Sequence, residues 1–314
     1  MQRKIVQHGG STLTISLPSQ WAKANNLKNG QFLNLETSQG SLVISLKEKH
    51  FDSIETDLSE NEDWYVSRII RHLYTAGYDE ITINYSKPNQ LSLIRKDLHL
   101  LTGLEVIESK PNYCKLRCTV SIDESEYETL IKRVMLLVLS QFDYFIKDCA
   151  IKKPANYEEV RQIFYTFCKL CNLSRRLINK KQIYDSINSR YAYDFINGLI
   201  EISLYIGYSY DYAKKTDTLD LTKKELELVK TVREMYSNLI FAYQSLNVDK
   251  TRIFFESRQA LFDNILDVLK DKNPIISHYF LIMMRNLTPI GNHIVMLNLA
   301  REKNLNKKKD GNNY

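Results

Sequence analysis

The sequence predicts a mixed α and β multidomain chain: a strand-rich N-terminal module, a small central α/β unit, and an all-α C-terminal half built as tandem three-helix bundles. Two changes of period carry that expectation. Apolar residues alternate at a spacing of two through residues 1–46, and the pattern is mixed over residues 61–121. From residue 123 onward they recur at three and four. A length of 314 residues suits two or three domains, and 44% hydrophobic with 25% charged is ordinary for a globular protein.

In the first module, Leu13, Ile15 and Leu17 alternate with Thr12, Thr14 and Ser16, which predicts a half-buried strand closed by Pro18. Ser19 can cap a short helix carrying Trp21 that ends near Asn25 and Asn26. Asn29-Gly30 is a turn signal. Leu33 and Leu35, a turn at Ser38-Gln39-Gly40, and Leu42, Ile44 and Leu46 predict a second hairpin. Four short strands and one helix in 46 residues bury little surface alone, and open strand edges invite pairing. Dimerisation of this segment is the simplest physical remedy.

Charge sharpens the boundary. The net charge of +6 is mild for the whole chain, but residues 1–46 hold Arg3, Lys4, Lys23 and Lys28 against Glu36 alone, a net of +3. Residues 47–63 carry seven acids against Lys47 and Lys49, a net of −5. A basic module thus precedes what reads as an acidic connector.

For the central unit, Ser59-x-x-Glu62 predicts a capping box, followed by a helix through Val66, Ile69, Ile70 and Leu73 that Gly77 stops. Glu80–Tyr85 reads as a strand, Asn89–Leu101 as a helix ending at Gly103, and Leu104–Glu108 and Tyr113–Val120 as strands. The first strand meets its helix through Ser86-Lys87-Pro88, so no glycine-rich phosphate loop is expected.

The helical half, residues 123–304, predicts six helices. They open at Asp123-x-x-Glu126, at Asn156-x-x-Glu159, near Arg190, at Thr222-x-x-Glu225, near Asp249 and at Asn273-Pro274, where proline suits the first helical position. Residues 214–221 read as a linker, and the basic, polar residues 305–314 as a disordered tail.

Several chemistries are not expected. The five cysteines are odd in number and too scattered for a disulfide framework, and Cys168-x-x-Cys171 reads as two buried thiols rather than half a zinc site. No apolar run is long enough to span a membrane and the N-terminus has no export signal, which predicts a cytoplasmic protein without membrane insertion. The six histidines form no H-x-x-x-H pair and no nucleophile elbow is present, so neither an enzyme nor a cofactor is expected.

The segment KIVQHGGSTLTISLPSQW, Lys4 to Trp21, resembles the SpoVT/AbrB swapped-hairpin family. GGSTLTISLPSQWAKANNLKNG is similar to the subgroup fused to PhoU-like helices in archaea, and the likeness covers residues 3–46. It implies a homodimer whose interlocked hairpins close an N-terminal swapped-hairpin β-barrel that presents basic residues to duplex DNA. The helical half resembles the PhoU-like phosphate-uptake regulators, through RNLTPIGNH (Arg285–His293) and LYIGY (Leu204–Tyr208). PhoU-like metal clusters use carboxylates at i and i+4. Here those places hold Thr288 and Asn292, and Leu204 and Tyr208, with His293 as a lone ligand type, so no metal is expected.

Arg3, Lys4 and Lys23 are the expected phosphate or groove contacts, since cations displace condensed counterions. His8, Ser11 and Thr12 could donate hydrogen bonds, and Gly9 and Gly10 allow close backbone approach. Related DNA-binding members often have arginine where this chain has Ser11. The expected function is a DNA-binding transcriptional regulator of phosphate uptake or phosphate homeostasis. The alternative is a PhoU-like adaptor, without DNA binding, that acts on a phosphate transporter's ATPase or a sensor kinase.

Overall fold

The computed structural model describes residues 2–38, 41–45, 51–121, 123–181, 183–246, 251–252, 254–256 and 266–311. The chain divides into two compact units, Met1–His50 and Phe51–Tyr314.

The first unit contains two antiparallel hairpins and one helix. β1 (Val6–His8) pairs with β2 (Thr12–Thr14), α1 spans Ser19–Ala24, and β3 (Asn34–Ser38) pairs with β4 (Ser41–Ser45). The predicted turn at Asn29-Gly30 forms, with Gly30 at φ +82°, and leads into β3. Each hairpin is a separate two-stranded sheet, so the described part of one chain makes no closed barrel. The expected strand through Leu17 stops at Thr14. Of the residues expected to be half-buried, Leu13 and Ile15 are exposed and only Leu17 is half-buried.

The second unit opens with a four-stranded sheet of β5 (Ser53–Asp57), β6 (Glu80–Asn84), β7 (Leu104–Lys110) and β8 (Tyr113–Cys118), in the order β5-β6-β8-β7. β5 runs parallel to β6, and the other neighbours are antiparallel. β5 corrects the sequence reading, which took this acidic stretch for a connector. Its lone apolar residue, Ile54, joins the sheet core, while Ser53, Glu55 and Asp57 are exposed, the charged pattern that suits an edge strand. The strand must cross to a parallel neighbour, and α2 (Asp63–Ala76) makes that crossover. α3 (Pro88–Asp97) and a short 3-10 turn (Leu98–Leu100) follow β6.

The Ser59-x-x-Glu62 capping box does not form. α2 begins one residue after Glu62, and the Ser59 amide instead donates to Asp57 Oδ1 at 2.9 Å. Gly77 does end the helix, at φ +109°, a conformation that a side chain would strain. Val66, Ile70 and Tyr74, spaced four apart, bury one face of α2 against Ile81, Ile83 and Leu116 of the sheet.

The remainder is helical: α4 (Tyr127–Ile151), α5 (Tyr157–Lys181), α6 (Ser186–Thr216), α7 (Lys223–Ser245) and α8 (Pro274–Gly311). Asp123 caps the turn before α4 by accepting from the Ser125 amide at 2.8 Å. α6 starts earlier than expected because Asp185 caps it, accepting from the Ile187 and Asn188 amides. The helix expected near residues 249–269 lies largely outside the described residues; 251–252 and 254–256 are helical, and Leu266–Lys270 is a 3-10 turn. α8 continues to Gly311, where disorder was expected from residue 305. Glu, Lys and Leu are good helix formers, and an existing helix extends without a nucleation cost. One hydrophobic core runs through α4 to α8, with α6 against α8 its most extensive contact. That contact needs Gly198: a Cβ there would lie 2.5 Å from Ile290 Cγ1.

Candidate nucleic-acid interface

Three residues, Gly9, Gly10 and Ser11, join β1 to β2. Gly9 takes φ +75°, which lets so short a connection reverse the chain. Gln7 Nε2 donates to the Gly10 carbonyl at 3.2 Å and Thr14 Oγ1 donates to the Val6 carbonyl at 3.0 Å, bracing the tip and the open end. His8 and Thr12 face each other across the ladder. Five of the eight predicted site residues, His8 to Thr12, therefore share one exposed tip. A Cβ at Gly9 or Gly10 would meet nothing within 4 Å, so the backbone there is open to a partner.

The other three are not at the tip. Arg3 and Lys4 precede β1, at the far end of the hairpin from the turn, and Lys23 lies on α1. At roughly 3.3 Å per extended residue, Lys4 and Gly9 are on the order of 15 Å apart along the strand. All three cations are exposed, and the ion pairs among the described residues fall entirely in the second unit. None of the three takes part in a described ion pair.

The feature that sequence reasoning missed is the exposed apolar face. Strand alternation puts Ile5, Leu13 and Ile15 on one side of the first hairpin, and they are 65%, 68% and 48% exposed. In the second hairpin Leu35 stands opposite Ile44, with Leu42 two residues along, and Leu35 and Leu42 are also exposed. Phe32 is 95% exposed. The alternation was legible, but which surface would cover it was not.

No protein-family model, no curated protein and no solved structure matches this chain.

In the helical half, Leu204 and Thr288 are half-buried, while Tyr208 and Asn292 are exposed. His293 is half-buried beside Tyr191, and its Nδ1 has no partner among the described residues. Among those residues no group of three or more His, Cys, Asp or Glu is placed to hold a metal ion. No described helix is long and apolar enough to cross a membrane. All five cysteines are free. Burial pushes the Cys168 thiol up to about 11 and Cys171 well above its ordinary value, which leaves both as unreactive packing groups.

Proposed function

We propose that this chain is a homodimeric, DNA-binding transcriptional regulator of phosphate uptake or phosphate homeostasis. Its first unit is the reading head, completed when the hairpins of two chains interlock into a swapped-hairpin barrel. The observation that carries this is the apolar face of Ile5, Leu13, Ile15, Leu35 and Leu42, all of them open to solvent. Each such side chain gains about 1.5–3 kcal/mol when fully buried. Two chains that cover each other's faces gain it for both sets at once, and closing the strands into a barrel removes their open edges.

The head carries a net charge of +3 per chain, and symmetry doubles it on one small surface. In this reading Arg3, Lys4 and Lys23 neutralise phosphates, while the tips at His8 to Thr12 bring backbone and hydroxyl donors against the duplex. The phosphate assignment comes from the likeness of the helical half to PhoU-like regulators, which also supports paired three-helix bundles as its architecture. The helical half would bias the spacing of the two heads, through a signal that binds one arrangement better than the other.

Titration of fluorescently labelled promoter DNA with the full chain at several salt concentrations tests this. Log K is expected to fall with log salt by about 0.9 for each phosphate neutralised. Absence of binding at low salt would remove the DNA role and leave an adaptor of a transporter ATPase or sensor kinase.

A further inference from the structure

A pocket of about 190 Å³ opens between α4, α5 and α6, remote in sequence from every residue assigned above to DNA. Its walls are largely aromatic, from Tyr157 and Phe164 of α5 and Tyr208 of α6. At its inner end is Gln141, fully buried on α4. One end of this amide is used, since Ser203 Oγ donates to Gln141 Oε1 at 2.6 Å. The other end, Nε2, has no partner among the described residues. A buried amide normally satisfies its hydrogen-bonding groups, so an unpaired N–H on a residue that lines a cavity points to an acceptor arriving from outside.

Gly207 supplies an independent observation. It lies in the middle of α6, where glycine weakens a helix. Packing explains the helical glycines Gly198 and Gly291. A Cβ at Gly198 would strike Ile290, and one at Gly291 would lie 3.1 Å from Phe254 and Phe255. A Cβ at Gly207 would meet nothing within 4 Å, because the position faces the pocket. The missing side chain is what keeps the space open.

At the mouth, the two charged residues, Arg161 and Asp211, are held by tyrosine hydroxyls. Tyr157 OH donates to Asp211 Oδ1 at 2.7 Å, and Arg161 donates to Tyr165 OH at 2.7 Å while lying over the Tyr157 and Tyr165 rings. Both charges are on exposed residues, so the interior itself offers aromatic faces and one neutral donor.

We infer that this pocket is a binding site for a small, uncharged, single-ring aromatic molecule with a hydrogen-bond acceptor on one edge. The ring lies among Tyr157, Phe164 and Tyr208, and the acceptor takes the Gln141 amide proton. Apolar lining with one placed polar group, set between helices of a bundle, is the usual make-up of small-molecule sites, and the volume restricts the occupant to one ring. The site belongs to the helical half and stands whether or not the first unit binds DNA.

Benzamide has this shape and acceptor, and toluene has the ring without the acceptor. Saturation-transfer NMR on the full chain should show saturable benzamide binding, with a Kd on the order of 0.1–1 mM for a ligand this small. Toluene should bind at least tenfold more weakly. Gly207→Leu fills the pocket from a position with open space and should abolish benzamide binding without lowering the Tm. Gly207→Ala, the milder change, should weaken it severalfold. Failure of benzamide to bind the wild-type chain, or equal binding to wild type and Gly207→Leu, would overturn the site. Toluene binding as tightly as benzamide would overturn the role of Gln141.

Discussion

Arg176 of α5 reaches Asp79, the residue before β6, with Nη2 2.9 Å from Oδ1. Its other nitrogen, Nη1, donates to the carbonyls of Tyr74 and Tyr78 at 2.9 and 2.8 Å, and the guanidinium lies over the Tyr74 ring. This one side chain caps the end of α2, fixes the first residue before a strand, and ties the sheet to the helices. Asn179 and Lys180, on the same stretch of α5, donate to the carbonyls of Thr75 and Gly77. The small α/β unit is thus docked on the helical half through the C-terminal end of α2.

Removing that arginine leaves two carbonyls and a carboxylate short of partners. Arg176→Met is expected to cost about 3 kcal/mol, the low end for breaking a buried pair, because Lys180 also reaches Asp79. Urea unfolding of the two proteins measures the difference. A change below about 1 kcal/mol would reduce the contact to a surface ion pair in effect.

The start of α7 makes a second graded prediction. Thr222 and Glu225 exchange hydrogen bonds as a capping box, at 2.7 and 3.2 Å, and Glu225 also accepts from the Asn273 backbone amide and side chain ahead of α8. Thr222→Ala should cost about 1 kcal/mol, the usual loss of a cap. Glu225→Ala should cost more, about 3 kcal/mol, because it also strands the buried Asn273 donors. Equal Tm shifts for the two variants would contradict this ordering.

The two α6 glycines should respond with opposite sign to the same substitution. Gly207→Ala is expected to stabilise by about 0.5–1 kcal/mol through helix propensity. Gly198→Ala forces a methyl onto Ile290 and should destabilise by about 1–3 kcal/mol. Thermal melts of both variants decide it; stabilisation by Gly198→Ala would mean that α6 and α8 are not in close contact.

Acid should weaken the fold through two histidines. Burial holds the His293 imidazole below its ordinary value of 6.5, with Asp194 opposing. His72 is also lowered, by burial first and then by Arg175, Arg68 and Arg71. A depressed histidine takes up its proton in the unfolded chain before the folded one. Their contribution is therefore intact above about pH 6.5 and lost as pH falls below it. Urea midpoints at about pH 7.5 and pH 5.5 should differ less for His293→Gln than for the wild type. An unchanged difference would remove His293 from the pH response.

What the sequence made legible is what local chemistry dictates. Gly77 had to stop a helix, Thr222 and Glu225 had to cap one, and the period-two residues of the first module had to be hairpins. It hid elements whose cause lies elsewhere in the chain. β5 has one apolar residue, and only its pairing with β6 makes it a strand. Arg176 carries no signal of its partner 97 residues away. In the candidate interface the tip of His8 to Thr12 was readable because it is contiguous. The distance from Arg3 and Lys4 to that tip follows from register, and Leu13 and Ile15 stay exposed in the single chain.

Whether two chains complete the first unit is measured most directly by light scattering of the full chain beside a Leu13→Asp, Ile15→Asp variant. Covered hairpin faces predict a mass of twice 36.8 kDa for the wild type and a single-chain mass for the variant. Its helical content should be unchanged, because both substitutions lie in strands or loops of the first unit. A wild-type monomer, or a dimer that the two aspartates leave intact, would contradict the shared head.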